Sequence, residues 1–293
     1  MDQYDGEAEG RLRVMLGPEQ IDTCSLQLLQ RSAGLADELD VGVTIHAAQD
    51  PAEYHHIRET HGITPIELLH QTGLLSERLI IAHGIYLSHH SFTQDDSDRD
   101  LQLLAASGAT IAHCPWIRAM NGEVFESLPR YEEAGVRVGL GTDCAPQDMI
   151  AEMRLALTMA RTAERGREAY DASRILDAAT VRGAEALRRS DIGRIAPGCA
   201  ADLVSVRLDE LDLLPRYDPL LTLVYSATGS DVDTVLVGGE TVVSEGRVLG
   251  IDEELLAGQM QEVCDGLWNR VPGRAGGIPL EQLAPLSLPR HGE

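Results

Sequence analysis

Short apolar runs recur through the first half of the chain, at 11–16 (RLRVML), 41–46 (VGVTIH), 78–83 (RLIIAH), 109–113 (ATIAH) and 136–141 (VRVGLG). Each is followed by a stretch with helical periodicity: 23–38, then 51–60 and 64–73, then 97–107, 127–134 and about 148–164. Thr64-Pro65 offers an N-cap and a first helical residue, while Gly108 and Gly135 mark helix ends. Strand–helix alternation of this kind demands a parallel sheet with crossover helices. Nearly continuous apolar strands are those expected when helices cover both faces. A doubly wound sheet and a (β/α)8 barrel both satisfy the pattern. From about residue 192 the rhythm changes to short strands broken by glycine turns, with Gly238-Gly239 as a hairpin turn. One more helix is expected over 252–269, and the Pro-, Gly- and Arg-rich end from Val271 reads as a loosely packed tail. Three units follow: 1–190, 191–250 and 251–293.

The acid, imidazole and amide groups fall at telling places. His46, His83 and His113 each end an apolar run, and Asp143 follows VGLGT. They are 37, 30 and 30 residues apart, each roughly one βα unit. Four polar groups thus stand at the C-terminal ends of successive parallel strands, the face that carries the active site in a barrel. A lone histidine after a strand is ordinary; four such groups on one face are not. Imidazole and carboxylate suit one divalent ion, zinc or iron, which acidifies a bound water.

Composition narrows the chemistry. All 24 basic residues are arginine, so Schiff-base and pyridoxal enzymes, Walker-type loops and metal centres bridged by a carboxylated lysine are excluded. A net charge of -23 argues against nucleic acid or anionic membrane as partner and leaves a small-molecule substrate; a homo-oligomer stays open. The five cysteines form no CxxC pair and read as reduced thiols. The first residues lack the apolar core of a signal peptide, and no run approaches the ~18 residues of a membrane span. The expected setting is cytoplasmic.

The runs RLIIAHGIYLS, ASGATIAHCPWIRAMNG and YEEAGVRVGLGTDCAPQDMIAEMRLAL closely resemble the amidohydrolase superfamily. The match is to the branch of triazine hydrolases, cytosine and guanine deaminases, and deaminases of S-adenosylhomocysteine and methylthioadenosine. ATVRGAEALRRSDIGRIAPGCAADLVSV resembles the segment where that branch leaves its barrel for a small β-sandwich. The resemblance runs from about residue 11 to 270. It implies an α/β fold: an incomplete (β/α)8 barrel of strands four to eight over 1–190, a C-terminal β-sandwich portion over 191–250, and a terminal helix and tail. It further implies that His46 and Asp143 bind the metal, that Asp143 takes a proton from the attacking water, and that His83 hydrogen-bonds substrate or that water. His113 would line the substrate pocket. Trp116 and Arg118 follow the seventh strand, where loops shape specificity; two readings of Arg118 stand level, a holder of an anionic or carbonyl group of the substrate and a solvent-facing arginine.

Two departures stand out. The family's His-x-His pair is absent, since the first histidine is already His46. The chain is therefore read as an N-terminally truncated form. His55-His56 and His89-His90 are poor substitutes, because adjacent helical residues point apart. The family's glutamate after the fifth strand is replaced by Gln49 in HAAQD. An amide cannot act as a general acid, a loss of ~10²–10⁴ in rate where the acid is needed; Gln49 is left to hydrogen-bond substrate. The leading expectation is metal-dependent deamination or aminohydrolysis of a purine, pyrimidine or triazine-like ring. The alternatives are an inactive homologue or subunit needing a partner segment, and hydrolytic loss of halide or another good leaving group.

Overall fold

The computed structural model describes residues 4–144 and 146–283. Four parallel strands stand side by side in sequence order: β1 (Val43–Ala47), β2 (Leu79–His83), β3 (Thr110–His113) and β4 (Arg137–Leu140). Helix α1 (Leu26–Leu39) precedes β1, and between and after the strands run α2 (Pro51–His61), α3 (Pro65–Gln71), α4 (Arg99–Ser107), α5 (Pro115–Met120), α6 (Leu128–Glu133) and α7 (Met149–Ala163). Two further helices, α8 (Ala172–Ala179) and α9 (Val181–Ala186), close this part. The parallel order with one crossover per strand is the predicted α/β arrangement. Closure into a barrel is not seen among the described residues.

The first apolar run, 11–16, behaves differently from the expectation. Pairing does not span 11–16; it begins at Leu16, which bridges Val43, and resumes at Gln20, which bridges His46. Between them lie Gly17 and Pro18, and proline has no N–H to give a ladder. The segment 16–21 is therefore an interrupted parallel edge beside β1.

Ile45, Ile81, Ile111 and Val138 pack under Leu29, Ile57, Leu69, Leu104, Tyr131 and Leu157 to form the core. The alternate row is less covered. Val43, Ile45, Ala47, Leu79 and Ile81 are buried, but Thr44 is exposed and His46, Ile80, Ala82 and Ala112 are half-buried. Helices over both faces, as the sequence suggested, are not found along β1 and β2. The row His46–Ala82–Ala112 is made of small or polar groups that need little cover, whereas an apolar run hides the period-two signal that would show it.

The β-rich part is a single antiparallel sheet among the described residues: β5 (Leu203–Val206), β6 (Val232–Val237), β7 (Glu240–Ser244) and β8 (Arg247–Val248), with the turn at 238–239. Asp148, the N-cap of α7, also accepts from the Gly229 amide at 3.1 Å and so ties this part to the parallel sheet. Beyond α10 (Pro219–Tyr225), α11 (Glu253–Trp268) lies within the expected 252–269 and buries none of its residues. The expected loose tail contains short helical turns at 271–274 and 280–283, and residues 284–293 of it lie outside the described residues.

Candidate metal centre

His46, His83 and Asp143 converge at the C-terminal ends of the strands, and one ligand atom from each lies within 4.8 Å of the others. The convergence is made by backbone geometry. In regular register Ala82, not His83, pairs with His46 and shares its face. His83 adopts φ +76°, a left-handed conformation that breaks the pleat, and its ring stacks 5.5 Å from that of His46. Asp143 also turns left-handed, φ +59°, two residues after Gly141 makes the last sheet contact, with the His113 carbonyl at 2.9 Å. Non-glycine residues held this way cost of order 1 kcal/mol or more and cluster at functional sites.

The interrupted edge orients His46. The Glu19 carbonyl accepts both the His46 backbone N–H at 3.2 Å and its ring Nδ1–H at 2.7 Å. That fixes the proton on Nδ1 and leaves the Nε2 lone pair for a ligand, the arrangement of a metal-binding histidine. Burial drives the His83 pKa down to about 3, assisted by the nearby Arg118 guanidinium, so its ring is neutral and also offers a lone pair. Two neutral imidazoles and a carboxylate are a donor set that zinc or iron accepts, and three protein donors are what a catalytic zinc site uses. On these observations the residues fit a divalent ion.

Arg118 sits against the same atoms. Helix α5, which the sequence reading did not foresee, starts at Pro115 and brings its guanidinium Nη2 to 3.2 Å from His83 Nε2 and 4.0 Å from Asp143 Oδ2. Nη1 donates to Glu123 at 2.9 Å and to the Gln49 carbonyl at 3.4 Å. Gln49 is thus at the rim, its own amide donating to Glu53 at 3.3 Å. Trp116 is half-buried in the first turn of α5, its amide bonded to Glu152 at 3.0 Å. His113 is not one of the three clustered donors, although it is near enough to act on His83: it is buried, packs 4.6 Å from the Phe125 ring, and desolvation lowers its pKa to about 3. Cys114 beside it is buried with its pKa pushed up to about 12, an inert thiol.

Sequence reading missed the supporting acids. Glu53 is buried and holds the Ala48 amide at 2.6 Å, with its pKa raised by burial to about 8. Glu152 is buried too, its pKa raised by burial to about 7. A signal existed for the latter, since Glu152 falls on the same stripe as Met149, Met153, Ala156 and Ala160. His55-His56 on α2 are not in the cluster, as expected, and buried His89 packs edge-on against Tyr131 while His90 packs tilted against Tyr86.

Residues 1–242 match the profile of the Amidohydrolase family. The chain belongs to the amidohydrolase family. Over 258 residues this amidohydrolase is 37% identical to 5-methylthioadenosine/S-adenosylhomocysteine deaminase of Pyrococcus furiosus, covering 87% of this chain and 59% of that protein. The corresponding deaminase of Desulfitobacterium hafniense is 34% identical over 279 residues, 94% of this chain and 61% of its own. The amidohydrolase chain here therefore spans about three fifths of the length of the curated relatives it matches. Among solved structures it resembles an adenosine deaminase from Xanthomonas campestris with bound zinc, with TM-score 0.82, 27% identity, and coverage of 90% of this chain and 59% of the other. It also resembles a mutant atrazine chlorohydrolase from Arthrobacter aurescens in complex with zinc and atraton, with TM-score 0.79, 28% identity, and coverage of 89% and 57%.

Proposed function

We propose that this amidohydrolase removes an amino group from a heterocyclic ring, of purine, pyrimidine or triazine type, using one divalent ion, zinc or iron. The observation that carries the reading is the set of three convergent donors with the His46 tautomer already fixed by Glu19. His46 and Asp143 hold the ion, and His83, whose Nε2 lies in the same cluster, hydrogen-bonds the substrate or the attacking water. When bound, the ion acidifies water and so supplies a nucleophile near neutral pH. The chain's own groups do the rest. The Asp143 carboxylate takes the proton of the attacking water. Neutral His83, 3.7 Å from Asp143 Oδ2, passes it towards the leaving nitrogen. The Gln49 amide and the Arg118 guanidinium bind ring nitrogens or carbonyl groups, and Trp116 and His113 shape the wall behind them. The relatives' deamination of nucleosides supports the class of substrate.

A second reading is favoured by Gln49. An amide gives no proton, and a halide leaving group needs none, in keeping with the likeness to atrazine chlorohydrolase. A third is a homologue that binds metal without turnover unless another polypeptide segment completes it.

The test is elemental analysis of the purified chain after zinc or iron loading, with ammonia and halide release assayed on adenosine, methylthioadenosine, S-adenosylhomocysteine, cytosine and chlorinated or aminated triazines. One equivalent of metal, lost in His46→Ala and Asp143→Asn, is expected. Equal metal in wild type and both variants would remove the physical basis of the assignment. Ammonia, halide or neither distinguishes the three readings.

A further inference from the structure

Helix α11 is amphipathic, and none of its residues is buried. Leu256, Met260, Val263 and Leu267 are between 42% and 65% exposed, although an apolar stripe on a helix ordinarily faces a core. They are spaced by four, three and four residues, the seven-residue repeat of a coiled-coil seam rather than the wider stripe of a helix lying on a sheet. Together with Trp268 and Val271 they line a groove of about 640 Å³. Glu254, Glu262 and Asp265 occupy the outer positions of the same repeat, and the helix contains no lysine or arginine. An anionic lipid surface would therefore repel it.

We infer that α11 pairs antiparallel with α11 of a second copy of this chain. The pattern is complementary to itself. A two-fold axis between Gln261 and Glu262 sets Leu256 opposite Leu267 of the second copy and Met260 opposite its Val263, so that every apolar knob meets another. Ala257 falls opposite Gly266, two small residues beside the seam that let the helices approach. Glu253, the first residue of the helix, falls opposite Arg270, which lies just past the last turn with its backbone still right-handed helical. A parallel pair would set Glu253 against Glu253 and Arg270 against Arg270, with the two helix dipoles aligned, and like charges disfavour it. Both charges are held in place before a partner arrives. Glu253 accepts from the Val248 amide and from Arg247, each at 3.4 Å, and Arg270 Nε donates to the Gly266 carbonyl at 2.9 Å. The net charge of -23 repels a second copy from most of the surface, whereas the stretch from Leu255 to Gln261 carries no ionised group. Two helices about 24 Å long bury less than the ~1,200 Å² at the lower end of stable interfaces, so the dimer forms and dissociates with concentration. The inference is independent of the metal reading.

The experiment is sedimentation velocity across the micromolar range for wild type, the double variant Met260→Glu/Val263→Glu and the control Leu211→Glu. Leu211 is an apolar residue 87% exposed elsewhere on the surface. Wild type and the control are expected to move from 31.8 kDa towards twice that mass as concentration rises, and the double variant to stay at 31.8 kDa. Photoreactive p-benzoylphenylalanine placed at Leu256 reads the orientation: mass spectrometry on mixed isotope-labelled and unlabelled chains should find it joined to 267–271 of the other copy. A wild type that stays monomeric into the high-micromolar range overturns the inference, as does a double variant that associates like the control. Capture at 253–257 of the second copy, or outside α11, overturns the antiparallel seam. Circular dichroism identifies a double variant that fails to fold, and in that event the site of capture decides.

Discussion

Glu53 makes stability fall as the medium becomes less acidic, and the size of the effect follows from its surroundings. Its carboxyl is 2% exposed and accepts from the Ala48 amide at 2.6 Å and the Gln49 amide at 3.3 Å. Those two donors favour the ionised form, but desolvation outweighs them, with Asp22 and Asp50 adding repulsion, and the pKa rises from 4.5 to about 8. A carboxyl with a raised pKa binds its proton more tightly in the folded state than in the unfolded state. Its contribution is therefore fully present below about pH 4.5 and is lost as pH climbs through about 8. At ~1.4 kcal/mol per pH unit the loss across that window is up to ~5 kcal/mol, with roughly 3 kcal/mol already gone at pH 7. Urea unfolding of wild type and Glu53→Gln at half-unit steps from pH 4.5 to 8 measures it. Other groups titrate alike in both proteins, so the difference between the two stability curves isolates Glu53. It should shrink steadily with rising pH to the disadvantage of the wild type. Parallel curves would refute the reasoning.

Thr64→Val removes both the N-cap of α3, which accepts from the Glu67 amide at 3.1 Å, and the donor to buried Asp100 at 2.6 Å. It should cost ~1–3 kcal/mol in urea unfolding, more at pH 8 than at pH 4, because burial has raised the Asp100 pKa to about 6 and only the ionised form depends strongly on that donor. Gly84→Ala places a Cβ 2.5 Å from Ile111 Cδ1 at φ +57°, directly after His83. A loss of ~2–4 kcal/mol is expected in the same assay; unchanged stability would show that the turn tolerates a side chain.

The fold class was legible because the physics behind it is local. Runs such as RLIIAH and ATIAH followed by helical periodicity leave little but a parallel sheet, and the glycines at 108 and 135 end α4 and precede β4 as expected. The positions of His46, His83 and Asp143 at strand ends were legible for the same reason: spacing by one βα unit brings groups to one edge of the sheet in any closely related topology. The run 11–16 misled because periodicity does not register what a proline two residues later does to a ladder, and pairing moved to 16–21. Burial of Glu53 was not legible, since a glutamate in the first turn of α2 reads equally well as an exposed helix start.

Residue types and their order along the chain are enough to set the strand–helix rhythm, exclude lysine chemistry and place two imidazoles and a carboxylate at the same ends of parallel strands. Whether those groups meet depends on backbone turns at His83 and Asp143 that no pattern of hydrophobicity encodes, because left-handed conformations of ordinary residues are stabilised by contacts distant in sequence. The same holds for the carbonyl of Glu19 on the His46 ring and for the guanidinium of Arg118, 35 residues from His83 and 3.2 Å away in space. Directional interactions between remote segments come into being only once the sheet and helices have packed, so the tertiary structure alone decided the chemical state of the site.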